Sequence, residues 1–205
     1  MNKSQIKNVV FDVGNVIVRW SPLEIIRLTF GDTASSEDLA KAVFQSETWL
    51  NLNKGLMSEE EASAIYQRDL GFSELECHRL FYYIKQTQIV IYGTVELMQR
   101  LKQAGYKIYA LTDNVHEIVA YLKSTYTFWP IFNGGIVSAD VGLLKPQAEI
   151  YQSLLDQNRI EASESVFIDD MLHNVEGAIS VGLAAIQFKN SAQCENDLKA
   201  LGLSF

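Results

Sequence analysis

A chain of 205 residues can bury a substantial core, as one large domain or as a core with a modest insertion, and 48 % apolar against 20 % charged residues excludes a disordered chain. The formal charge of -8 leaves no surplus of Lys and Arg to displace counterions from a polyanion, so nucleic acid is not an expected partner. Cys77 and Cys194 make neither a CxxC pair nor a zinc cluster, no run is long enough to span a bilayer, and the amino-terminal apolar run meets an Asp at once; a cytoplasmic chain without signal peptide, membrane contact or disulfide framework is expected.

Asn8-Val9-Val10-Phe11 is almost continuously apolar and rich in β-branched residues, which predicts a strand buried on both faces, and it ends at Asp12-Val13-Gly14-Asn15. Residues 21–91 then carry apolar side chains at helical spacing, including Leu23, Ile25, Ile26 and Leu28, Leu39, Val43 and Phe44, Leu56, Ala62, Ile65 and Tyr66, and Leu80, Phe81 and Ile84. Within them Ser58, followed three residues on by Glu61, predicts a capped helix start. Thr94 to Ala104 predicts a helix closing at Gly105, and Lys107 to Leu111 a second buried strand ending at Thr112-Asp113-Asn114. Gly135 to Ser138 reads as a short strand, and Pro146 as the start of a helix through Asn158. Ser165 to Ile168 is a third buried strand, ending at Asp169-Asp170, and Ala184 to Phe188 a further one. This alternation predicts an α/β fold: a Rossmann-like parallel sheet core flanked by helices, residues 1–20 and 92–205, with a small helical cap, residues 21–91, inserted after the first strand.

Three strands thus finish in polar residues, and ligands of open α/β sheets bind outside the carboxyl ends of strands. Asp12 can attack phosphorus to form an aspartyl-phosphate, although alone it reads equally as a turn or capping residue. Asp169 and Asp170 repel each other unless a cation or hydrogen bonds offset the cost. Mg²⁺ takes few carboxylates together with water and phosphate oxygens, so Asp12 with Asp169 and Asp170 predicts a Mg²⁺ site; the plain alternative is that Asp170 or Asn174 caps the following helix. Thr112 supplies a hydroxyl, and with Asp113 and Asn114 the backbone N–H donors, that a phosphoryl group of the substrate would accept from, its bland role being an N-cap. Lys145, beside Pro146, can hold its ammonium over the same edge to neutralise phosphate and Asp12, where the ordinary alternative is a solvated lysine. The expected catalytic residues are therefore Asp12, Thr112 and Lys145, the partner a small phosphorylated metabolite. His173 follows Asp170 closely enough to fall near the rim but reads first as a surface histidine, and Trp20, after Arg19, reads first as packing.

With Asp12-Val13-Gly14-Asn15-Val16, Thr112, Lys145-Pro146 and Asp169-Asp170 in this order, the sequence resembles the haloacid dehalogenase-like hydrolase superfamily over nearly its whole length. The phrases FDVGNVIVRW, GLLKPQAEIY and FIDDMLHNVEGA look like its branch of small sugar-phosphate phosphatases, which includes alpha-D-glucose-1-phosphate phosphatase. The resemblance implies Asp12 as nucleophile, Thr112 as phosphate binder, Lys145 as charge stabiliser, Asp170 as principal Mg²⁺ carboxylate with Asp169 beside it, and the Gly14 carbonyl on the metal. It also implies that the helical insertion closes over the site and selects substrate. Most phosphatases of this superfamily carry a second Asp as general acid where this chain has Gly14, and Asn is commoner where it has Asp113. Without that acid a good leaving group, such as an anomeric sugar phosphate, is expected. Dehalogenation of a 2-haloacid by attack of Asp12 on carbon, and a non-catalytic phosphate-binding domain, are the alternatives.

Overall fold

The computed structural model describes residues 6–205; residues 1–5, the start of the stretch read against a signal peptide and of the first core segment, lie outside the described residues. Strands β1 (Asn8–Phe11), β2 (Lys107–Thr112), β3 (Gly134–Val137), β4 (Ser165–Asp169) and β5 (Ala184–Gln187) form one all-parallel sheet in the order β3-β2-β1-β4-β5. The expected strands are all present, displaced by at most a residue or so at their ends.

Burial on both faces explains why β1, β2 and β4 read as unbroken apolar runs. Val9, Phe11, Ile108, Val166 and Ile168 enter the core on one face, while Val10, Tyr109, Leu111 and Phe167 pack on the other. The first face is covered by α6 (Thr94–Gln103), α7 (His116–Thr125) and α11 (Ser191–Ala200), through Leu97, Leu101, Ile118, Leu122, Cys194 and Leu198. The second is covered by α9 (Ala148–Asn158) and α10 (Leu172–Ser180), through Ile150, Tyr151, Leu154 and Ala178. From β1 the chain builds outward to β2 and β3, then returns to β4 and β5 on the other side. The carboxyl ends of β1 and β4 therefore flank a topological switch point.

Between β1 and α6 lie five helices: α1 (Pro22–Phe30), α2 (Ser36–Phe44), α3 (Glu47–Asn53), α4 (Glu59–Leu70) and α5 (Glu74–Gln86). They bury Ile25, Ile26, Val43, Leu52, Ala62, Tyr66, Leu80 and Ile84 in the cluster shared with the first sheet face. The capping box at α4 is present: Ser58 Oγ accepts from the Glu61 N–H at 3.2 Å, and Glu61 Oε2 accepts from the Ser58 N–H at 2.8 Å. Ser73 and Glu76 repeat it at α5. Ser58→Ala should cost about 1 kcal/mol of folding stability, the usual cost of losing such a cap, read as a lower urea midpoint at unchanged slope.

Two expectations need correction. Leu56 is 67 % exposed in the turn after α3, because the chain leaves that helix at Asn53 and helical spacing no longer applies. Pro146 does not open α9: the helix begins at Ala148, and Pro146, after a cis Lys145–Pro146 peptide, sits in a turn closed by the Gln147 N–H donating to the Leu144 carbonyl at 3.0 Å. A proline at this point satisfies either reading from sequence, since both need its fixed φ and neither needs its N–H. Cys77 and Cys194 are buried free thiols, and among the described residues no helix is long and apolar enough to cross a membrane.

Candidate active site

Register brings the carboxylates together. Phe11 pairs with Ile168, so the next residues on the two adjacent strands are Asp12 and Asp169. After β1 the backbone turns tightly: the Val18 N–H donates to the Val13 carbonyl at 3.0 Å and the Asn15 N–H to the Val18 carbonyl at 2.7 Å. Asn15 takes a positive φ of 53°, a conformation that Asn tolerates better than most residues. Its side chain accepts from the Trp20 N–H at 2.8 Å and donates to Asp170 Oδ2 at 3.2 Å, tying the first polar strand end to the third.

Lys145 reaches the centre of this edge. Its buried ammonium lies 2.9 Å from Asp12 Oδ1 and 2.7 Å from Asp169 Oδ2. Asp169 is otherwise saturated: Oδ1 accepts from the Met171 N–H at 2.8 Å, and Asn174 Nδ2 donates to both carboxylate oxygens at 3.1 Å. Oxygens of Asp12, Asp169 and Asp170 all fall within 4.8 Å of one another, and the Lys145 ammonium pairs with the first two while Asp170 accepts from Asn15. Burial holds the Asp12 carboxyl above the ordinary carboxylate range, with the Lys145 ammonium pulling it down and Asp169 pushing it up. Lys145, whose own burial works against its charge, is held above the ordinary ammonium range by Asp12, Asp169 and Asp113. Asp170 is raised by burial and then by Asp169. These directions describe a pocket with too little positive charge for its carboxylates. A divalent cation between Asp12 and Asp170 fits that deficit.

The turn after β2 is used differently from the sequence-based expectation. Thr112 is buried and its hydroxyl has no protein partner, yet the residue does not line the cavity, whereas Asp113 and Asn114 do. The Asp113 carboxylate points at the backbone, accepting from the Lys145 N–H at 3.1 and 3.2 Å, which fixes the chain at Lys145. The Asn114 N–H, expected to serve a phosphate, donates to Ser138 Oγ at 2.8 Å, and the Val115 N–H is taken by Asn114 Oδ1 at 3.0 Å. Ser138 in turn donates to the Asn53 carbonyl at the end of α3, at 2.6 Å.

The cavity over these groups measures about 390 Å³. Its floor includes Asp12, Gly14, Asn15, Lys145, Asp170 and Asn174, and its wall includes Trp20, Phe44 and Trp49. His173 lines it as well while remaining an exposed surface histidine, whereas Arg19 pairs with Glu24 at 2.8 Å and does not. A Cβ built on Gly14 would meet only the Trp20 Cβ at 3.9 Å, so sterics do not require glycine at the position where the usual acid is missing.

The sequence pattern of the haloacid dehalogenase-like hydrolase family matches residues 6–182. A sesquiterpene phosphatase of Aspergillus oryzae is 26 % identical over 198 residues, covering 95 % of this chain and 96 % of that protein. Flavin mononucleotide hydrolase 1 of Arabidopsis thaliana is 29 % identical over 211 residues, covering 98 % and 80 %. Among solved structures, a family enzyme of Bacteroides thetaiotaomicron in complex with magnesium and inorganic phosphate superposes with a TM-score of 0.75 at 19 % identity, covering 90 % of this chain and 95 % of its own.

Proposed function

The chain belongs to the haloacid dehalogenase-like hydrolase family, and from that membership and the site geometry we propose that it hydrolyses a small phosphate monoester, with Mg²⁺ as cofactor and Asp12 as nucleophile. The observation that carries this reading is the cluster of Asp12, Asp169 and Asp170, of which only the first two pair with the ammonium of Lys145. The phosphatase and flavin mononucleotide hydrolase among the relatives support it, as does the magnesium and phosphate held by the Bacteroides enzyme.

Asp12 and Asp170, with the Gly14 carbonyl, would hold the ion; Asp169, each of whose oxygens already accepts two hydrogen bonds, orients Lys145 instead. When bound, the cation offsets the repulsion between Asp12 and an incoming phosphate. An Asp12 oxygen attacks phosphorus while the ester P–O bond breaks and its electron pair leaves with the alkoxide or phenoxide oxygen, which takes a proton from water. Water then attacks the phosphorus of the aspartyl-phosphate, releasing inorganic phosphate and restoring the carboxylate. Lys145 stabilises charge on the phosphoryl oxygens, while the Thr112 hydroxyl, unpartnered but outside the cavity lining, is set back from them. The helices of residues 21–91 serve as the cap. Because Gly14 supplies no acid, the leaving oxygen must be a weak base, a demand that the anomeric sugar phosphates of the resembled branch and aryl phosphates both meet.

The test is phosphate release from a panel of monoesters, with Mg²⁺ and after chelation. Release should require the metal; phosphate release that survives chelation would sink the reading, and halide release from a 2-haloacid in chelator would favour a metal-free attack on carbon. A second readout needs no turnover. Mg²⁺ at about a hundred times Kd should stabilise the fold by about 2.7 kcal/mol, seen as a higher Tm, and Asp170→Asn should remove most of that shift.

A further inference from the structure

The wall of the cavity constrains what the phosphate is attached to. Trp20 and Trp49 stack with ring centroids 5.6 Å apart and 14° between planes, and Phe44 meets them edge-on at 5.2 and 5.0 Å. All three line the cavity, and Leu50, Ile118 and Met171 extend its apolar surface. Leu50 and Met171 remain 42 % and 46 % exposed, so the apolar surface is not spent on packing.

The polar groups of the wall offer little to a polyol. Asn53 donates its amide to the Trp49 carbonyl at 2.8 Å and Gln88 donates to the Ile84 carbonyl at 3.2 Å, which leaves each a carbonyl oxygen for the cavity. Asn15, Asp113 and Asn114 are taken by the Trp20, Lys145 and Val115 N–H groups, so a sugar would bring more hydroxyls than Asn53, Gln88, His173 and the buried Asn174 Oδ1 can pair, and each hydroxyl buried without a partner costs about 1–3 kcal/mol. A second anionic group fares worse. Among the described residues lining the cavity Lys145 is the only Lys or Arg, and it is already engaged by Asp12 and Asp169.

We infer that the site takes the monophosphate ester of a neutral apolar alcohol, an aromatic one fitting best, rather than a sugar phosphate or a substrate with a second charged group. The inference rests on the phosphatase reading and deepens it. An aryl ester also leaves as a weakly basic phenoxide, which suits a loop that carries Gly14 in place of an acid. The ring would lie against the half-buried Trp20 and the edge of the buried Trp49 that lines the cavity, where aromatic contact and area burial add to the grip on the phosphoryl group.

Two measurements on the Mg²⁺-loaded protein test this. In the first, non-hydrolysable naphthylmethylphosphonate, methylphosphonate and a glucose-derived phosphonate are ranked by competition and by quenching of tryptophan fluorescence. The aryl compound should bind the wild type roughly tenfold or more tighter than the other two, and Trp49→Ala or Phe44→Ala should erase roughly three- to tenfold of that while leaving the affinity for inorganic phosphate unchanged. In the second, naphthyl phosphate and glucose-1-phosphate are compared by kcat/KM, with the advantage of the aryl ester expected largely in KM. Equal or tighter binding of the glucose compound to the wild type overturns the inference, and so does equal weakening of inorganic phosphate by the wall variants. If the aryl phosphonate binds as expected but no monoester is turned over, the phosphatase reading fails and the apolar site stands.

Discussion

Asp12→Asn is expected to lower kcat on the order of 10⁴-fold or more, because an amide of the same shape cannot form the acyl-phosphate. The variant keeps an oxygen able to accept from the Val13 N–H, which donates to Asp12 Oδ1 at 2.7 Å, so the turn after β1 should survive. Stability should move the other way. Burial raises the Asp12 carboxyl in the fold above its unfolded value, so the native state holds this proton more tightly than the unfolded chain does. In metal-free protein Asp12 therefore contributes a loss of stability as pH rises from the ordinary carboxylate value through the raised one. The wild type minus Asp12→Asn difference in Tm should become more negative across that window in chelator, and shrink when Mg²⁺ is added. Wild-type turnover by the variant would remove Asp12 from the chemistry.

Lys145→Met should be the most destabilising single change in the site. It leaves Asp12 and Asp169 buried on adjacent strands with no ammonium between them, and removing one partner of a buried ion pair costs about 3–5 kcal/mol. The deficit should diminish as pH falls, because loss of Lys145 raises the Asp12 carboxyl further and its protonation relieves the repulsion. Urea unfolding of Lys145→Met, Asp169→Asn and the double variant forms a cycle: the double variant should recover much of the loss. Additive costs would mean that the pair is not coupled. Asp113, which accepts from the Lys145 backbone N–H, should keep the turn ordered in all of them.

The sheet was legible because strands buried on both faces are written as nearly unbroken apolar runs, and β1, β2 and β4 each stop at polar residues on the same edge, where the register sets Asp12 beside Asp169. The capping box was legible because its two residues act only on each other and on nearby backbone. Asn15 and Asn174 escaped notice as site residues although both lie in the phrases that revealed the carboxylates. Asn15 had one readable signal, its tolerance of positive φ in a turn beside Gly14. The partners of the Asn114 N–H and the Asp113 carboxylate were not readable, since Ser138 and the Lys145 backbone approach from 24 and 32 residues away. The aromatic wall was hidden for a similar reason. Helical spacing announced that Phe44 is buried, but not that α2, α3 and the loop after β1 would bring Phe44, Trp49 and Trp20 together over Asp12.

Ser138 has a consequence for how such a site can change over generations. Its hydroxyl takes a hydrogen bond from Asn114 on the sheet edge and gives one to the Asn53 carbonyl at the end of the helix that carries Trp49. Wall and chemical edge are thereby indexed to one another through a single atom. A substitution that tilts α3 to admit a different alcohol also pulls on the turn that follows Thr112, so substrate range and turnover cannot drift independently in this lineage. New specificities should arise more readily on the side of Leu50 and Met171, whose exposed side chains can be exchanged without disturbing that joint.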